Sequence, residues 1–186
     1  GQLANLYTTA TSFDLTYSNA VGTPDEYSIT AVGPNAMPNF VAISNYGLPV
    51  SPITVSSPAS SPGIYNFNLL VKNGSLGCVS SVIPFTQTIN SQSSTITVTG
   101  LTSYTYNGSS QGPATNTKTG STGAVTYSYA GTGSTTYGPS ATLPTGVGTY
   151  EVIATLAADA NYSGATSAPY AFTISRASST ITVTGL

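Results

Sequence analysis

Nine consecutive residues of this chain occur twice: Ser-Ser-Thr-Ile-Thr-Val-Thr-Gly-Leu occupies positions 93–101 and returns at 178–186. A segment that recurs after roughly 85 residues marks a tandem array, because that spacing is about one small β domain. The 186 residues are therefore expected to be cut from a longer series. Two domains are expected, over residues 1–90 and 91–175, and residues 176–186 read as the opening strand of a further copy.

Period-2 alternation runs through both halves, and strand residues facing one side recur at every second position. Over residues 64–72, Tyr65, Phe67, Leu69 and Val71 share one face while Asn66, Asn68 and Lys72 share the other. Residues 149–156 repeat the scheme, with Tyr150, Val152, Ala154 and Leu156 inward. Each half closes alike, on Ile83, Phe85, Gln87 and Ile89 in the first and on Tyr170, Phe172 and Ile174 in the second. Between the strands lie turn-formers such as Asn73-Gly74, Asn107-Gly108, Gly131-Thr132-Gly133 and Gly138-Pro139. Twelve prolines punctuate the chain, so no helix longer than a turn or two is expected. The fold class that follows is all-β, as two tandem antiparallel β-sandwiches joined end to end.

Both long strands open on a glycine followed two residues later by a tyrosine, Gly63 and Tyr65 in one half, Gly148 and Tyr150 in the other. This resembles the tyrosine corner of immunoglobulin-like sandwiches, in which the ring enters the core and the hydroxyl bonds backbone upstream. The plainer alternative is two tyrosines that simply suit strands. Outward on the repeated segment stands a row of Thr95, Thr97 and Thr99, which reads as a β-branched, hydroxylated solvent face.

Composition restricts the partners. Charged residues make up 4% of the chain against a usual quarter or so, so its surface is wetted by hydroxyls and amides. Three scattered cations, Lys72, Lys118 and Arg176, cannot form the clustered patch that displaces phosphate counterions, and nucleic acid is excluded. No apolar run is long enough to span a bilayer, and any export signal or anchor is expected outside this stretch. Cys78 is the one cysteine, so no internal disulfide forms. It reads as a small buried hydrophobe, the alternative being a bridge to a further domain or a neighbouring chain.

Histidine is absent, which removes the commonest general base and metal ligand. Among five acids only Asp25 and Glu26 are close in sequence, and neighbouring strand residues point to opposite faces rather than across a shared substrate. The nearest approach to a calcium loop, Asp159-Ala160-Asn161, reads as a solvated turn. No enzyme, cofactor or metal is expected.

The second half runs from the repeated segment through Tyr104, Tyr106-Asn107-Gly108, Gln111-Gly112-Pro113, Tyr127 and Tyr129, Tyr137-Gly138-Pro139, Val147-Gly148-Thr149-Tyr150, Asp159-Ala160-Asn161-Tyr162 and Phe172-Thr173-Ile174. In the order of these motifs it closely resembles the MBG repeat (mostly β and glycine rich), found in tandem in very large surface and secreted bacterial proteins, especially of Bacteroidetes. The first half, through Gly63-Ile64-Tyr65, Gly77-Cys78-Val79 and Phe85-Thr86, looks like the Ig-like modules that accompany such repeats. Those relatives often carry a second cysteine, absent here. The resemblance implies an extracellular module at a bacterial surface with a stalk or adhesin role, and no enzymatic residue to carry over.

Three functions are open on these grounds. The leading one is a structural or adhesive spacer whose partners are neighbouring domains of its own chain. A second is a carbohydrate- or surface-binding module in which Tyr104, Tyr106, Tyr127 and Tyr129 stack on glycans, unless those tyrosines fill the core instead. In the third, Thr180, Ile181, Thr182, Val183 and Thr184 insert along a sheet edge of an identical chain and build a filament.

Overall fold

The computed structural model describes residues 3–57 and 61–185. All regular structure among the described residues is β. The chain divides into two compact units, Gly1–Gln92 and Ser93–Leu186, and each is an Ig-like β-sandwich. The division falls two residues beyond the expected boundary.

The first unit contains β1 (Leu6–Tyr7), β2 (Ser12–Leu15), β3 (Glu26–Ala31), β4 (Ile43–Gly47), β5 (Ile53–Ser56), β6 (Gly63–Asn73), β7 (Cys78–Val79) and β8 (Ile83–Asn90). One sheet runs β1-β8-β6-β3-β4, with β7 hairpinned onto the end of β6, and the other is the pair β2-β5. Long and central, β6 pairs antiparallel with both β3 and β8. Its alternation puts Phe67 and Leu69 into the core, beside Phe13, Ile29, Ile53, Val55, Phe85 and Ile89. Phe67 stacks on Phe85 at a centroid distance of 5.2 Å. Rings of this kind fill a thin sandwich with few residues.

Two features of this unit depart from the expectations. Cys78 is exposed and free rather than buried. It sits in a two-residue strand at the tip of the β6–β7 hairpin, opposite Asn73 and past the end of the core. Ile83, expected inward, is 45% exposed at the start of β8, although its cross-strand partner Leu69 is buried. Asp25 and Glu26 serve the same hairpin. Asp25 Oδ1 accepts the Gly74 N–H at 2.6 Å, and Glu26 bridges Lys72 at 3.1 Å.

The second unit contains β9 (Thr95–Thr99), β10 (Ser103–Thr105), β11 (Thr115–Thr119), β12 (Val125–Gly131), β13 (Gly148–Leu156), β14 (Ala165–Thr166) and β15 (Tyr170–Ser175). Its larger sheet runs β10-β15-β13-β12, with β14 on β13, and its smaller one is β9-β11. Tyr150, Val152, Ala154 and Leu156 of β13 all face the core, as their alternation predicts, against Ile96, Val98, Phe172 and Ile174. The threonine row of β9 lies opposite a second row on β11, pairing Thr99 with Thr115, Thr97 with Thr117 and Thr95 with Thr119. Cross-strand bonds tie its ends, Thr95 Oγ1 to Thr119 Oγ1 at 2.7 Å and Thr99 Oγ1 to Thr115 Oγ1 at 3.1 Å. Threonine pairs of this kind stabilise a solvent-facing ladder.

The two units share a plan. Each combines one broad sheet with a two-stranded one, and each pairs its last strand in parallel with an early strand, β8 with β1 and β15 with β10.

Candidate functional site

Tyr65 and Tyr150 occupy matching positions near the starts of β6 and β13. The Tyr65 hydroxyl donates to the Ser61 carbonyl at 2.7 Å, and the Tyr150 hydroxyl donates to the Gly146 carbonyl at 2.8 Å. In both cases the acceptor lies four residues upstream, so each hydroxyl closes the loop that leads into its strand. The rings differ in depth. Tyr150 is buried, stacked on Phe172 at 5.4 Å and edge-on to Tyr137 at 5.8 Å. Tyr65 is half-buried against the core of its unit.

Of the two readings open for Tyr104, Tyr106, Tyr127 and Tyr129, a glycan platform or core filling, three of the four side chains follow the second. Tyr129 is buried, and its hydroxyl donates to the Pro113 carbonyl at 2.9 Å. Burial pushes its pKa up to about 12, with the neighbouring Tyr127 and Tyr104 adding to the rise. Tyr127 stacks on Tyr129 at 6.4 Å, and its hydroxyl accepts from Asn116 Nδ2 at 2.6 Å. Tyr104 packs edge-on to Phe172 at 6.0 Å. Only Tyr106, 44% exposed, lies at the surface. The cause is geometric: Tyr127 and Tyr129 share the inward face of β12, where aromatic volume closes the sandwich.

Asp159, the one approach to a cation loop, is occupied by its own turn. Its carboxylate accepts backbone N–H groups from Thr122, Asn161 and Tyr162, and the Thr122 hydroxyl. Those donors, led by the Thr122 amide, hold its pKa well below the usual carboxylate range. Among the described residues no group of three or more His, Cys, Asp or Glu side chains gathers into a metal centre.

The second copy of the repeated segment behaves differently from the first. In β9, Ile96 and Val98 are 6% and 2% exposed; the corresponding Ile181 and Val183 are 91% and 80% exposed. Residues 176–185 form no strand and make no ladder, and Leu186 lies outside the described residues. One sequence thus stands in two environments.

Among the surface aromatics that residue patterns missed is Tyr46, 68% exposed on β4. Its run Ser44-Asn45-Tyr46-Gly47 carries no alternation that would have singled it out.

No protein family matches the chain, and no curated protein does. Among solved structures it is similar to a crystal structure of Drosophila N-cadherin EC1-3, at 10% sequence identity and a TM-score of 0.30. That match covers 95% of this chain, which spans 63% of the length of the cadherin chain. No helix among the described residues is long and apolar enough to cross a membrane.

Proposed function

We propose that the chain is a structural and adhesive repeat module of a large extracellular bacterial surface protein or filament, serving as stalk or spacer, with MBG-type character in its second unit. The observation that carries this reading is the parallel pairing of an early strand with the last strand in each unit. Parallel neighbours have their outer chain ends at opposite ends of the pair, so tension along the chain shears all their hydrogen bonds at once instead of unzipping them singly. In the first unit, β1 on β8 is reinforced by Gln87, whose Nε2 donates to the Ala4 carbonyl at 2.9 Å, and by Gln92 Nε2 on Thr9 Oγ1 at 2.7 Å. In the second unit, β10 on β15 is extended by Tyr106 N–H to the Ser175 carbonyl at 2.8 Å and Thr173 N–H to the Thr102 carbonyl at 2.9 Å. The recurrence of residues 93–101 at 178–186 supports placement in an array.

Single-molecule stretching of the chain between its ends tests this. Two separate unfolding steps are expected, each lengthening the chain by about 300 Å at roughly 3.5 Å per released residue. One combined step, or extension without a resisting force, would refute the spacer reading.

The contrast between Ile96 and Ile181 favours a second reading, in which residues 178–186 pair with a sheet edge of another chain. Electron microscopy of concentrated material should then show fibres that vanish when those nine residues are removed. Particles of one size with and without the segment would refute strand donation.

A further inference from the structure

The first unit carries an open groove of about 700 Å³ between the exposed sides of β4 and β5. Tyr46 and Ser44 line it from β4, Thr54 and Ser56 from β5, and Asn39 from the preceding loop, with the buried Tyr27 behind. We infer that this groove is a binding site for a neutral glycan, with Tyr46 as the ring on which a sugar stacks.

A bulge builds the site. Tyr46 pairs with Tyr27 and Ile43 pairs with Ile29, so three steps along β4 match two along β3. In a regular strand, residues three apart point to opposite faces; the extra residue brings Ile43 and Tyr46 to the same one. Asn45 takes up the irregularity with φ of 47°, and its N–H is held by Ser28 Oγ at 2.9 Å. Tyr46 is thereby turned edge-on against Tyr27, ring centroids 6.0 Å apart, and two-thirds of its surface is left open. A large exposed ring seated on a buried one is held in place before any ligand arrives, which lowers the ordering cost of binding.

The lining chooses among partners. Among the described residues no Asp, Glu, Lys or Arg lines the groove, so phosphate, sulfate or carboxylate ligands find no counter-charge. Another β-strand is a poor fit, because the bulge interrupts the edge of β4. What is offered is an aromatic ring and an apolar floor of Val41, Ala42 and Ile43, beside the exposed hydroxyls of Ser44, Thr54 and Ser56 and the Asn39 amide. The Thr54 hydroxyl donates to Asp14 at 2.7 Å, which leaves its oxygen to accept. An apolar ring face combined with neutral donors and acceptors matches a sugar, whose C–H face is apolar and whose rim is hydroxylated.

The site does not depend on the spacer role, and its test is separate. The isotope-labelled chain is titrated in NMR with cellohexaose, maltohexaose, mannohexaose and xylohexaose, each to about 10 mM, a range that detects millimolar dissociation constants. At least one should shift the amides of residues 39–46 and 54–57 in a saturable way. Tyr46→Ala should weaken that binding by about tenfold or more, while Tyr46→Phe, which keeps the ring, should stay within about threefold. Tyr46 is mostly exposed, so both variants should retain the wild-type spectrum elsewhere. The inference fails if none of the four sugars moves those amides, if the shifts map elsewhere such as Tyr106, or if Tyr46→Ala binds as wild type.

Discussion

Phe67→Ala should cost the first unit about 3–5 kcal/mol, the range for deleting a fully buried ring, and leave the second unit's unfolding unchanged. Phe67 has no exposed surface, stacks on Phe85 at 5.2 Å and meets Phe40 at 5.1 Å and Phe13 at 5.7 Å, so its removal opens a cavity between the sheets. The mirror experiment is Phe172→Ala in the second unit, where the lost ring lies 5.4 Å from Tyr150 and 6.0 Å from Tyr104. A domain of this size has only about 5–15 kcal/mol in total, and short sandwiches lie toward the lower end because they bury less of their surface. Each substitution should therefore bring its own unit close to its folding threshold at room temperature. Urea titration followed by residue-resolved NMR distinguishes the two units, since the chain has no tryptophan to report on either. Each core is drawn from residues of its own unit. Coincident loss of both units on either substitution would contradict the modular organisation.

How far such a fold can be read from residue order depends on whether alternation survives in each strand. In β6 and β13 it does, and the inward faces of Phe67, Leu69, Tyr150, Val152, Ala154 and Leu156 follow directly. The glycine-to-tyrosine spacing likewise anticipates the hydroxyl contacts of Tyr65 and Tyr150, because the geometry is local, four residues long. Tyr104, Tyr127 and Tyr129 were ambiguous for the opposite reason. A tyrosine is compatible with core and surface alike, and its depth is decided by partners far along the chain, Phe172 and Pro113. Cys78 was misplaced because its strand outruns the core, a matter of strand length relative to the facing sheet. The groove was invisible for a further reason: a bulge breaks the period on which strand reading rests, and Tyr46 acquires its direction from that break.

Gly138→Ala should destabilise the second unit by about 2–4 kcal/mol, through a left-handed backbone penalty of roughly 1–2 kcal/mol plus the loss of a backbone clasp on β12. β12 is an edge strand, and edges left open invite pairing with other chains. Here the edge is covered where Tyr129 N–H donates to the Ser140 carbonyl at 2.7 Å and Ser140 N–H donates back to Tyr129 at 2.9 Å. Gly138 makes this approach possible. Its φ is 63°, and a Cβ there would stand 2.2 Å from the Tyr129 carbonyl oxygen, which cannot move without breaking the strand. Gly133 supplies the control: its φ of 61° is nearly the same, but a Cβ would meet nothing closer than Thr149 Oγ1 at 3.8 Å. Gly133→Ala should therefore cost only the conformational part, about 1–2 kcal/mol. Thermal and urea unfolding of the two variants separates the terms, and equal losses would show that crowding against Tyr129 contributes nothing. Where the clasp opens, amide exchange at Tyr129 should accelerate in Gly138→Ala and stay slow in Gly133→Ala, because only the first substitution detaches the loop from the strand.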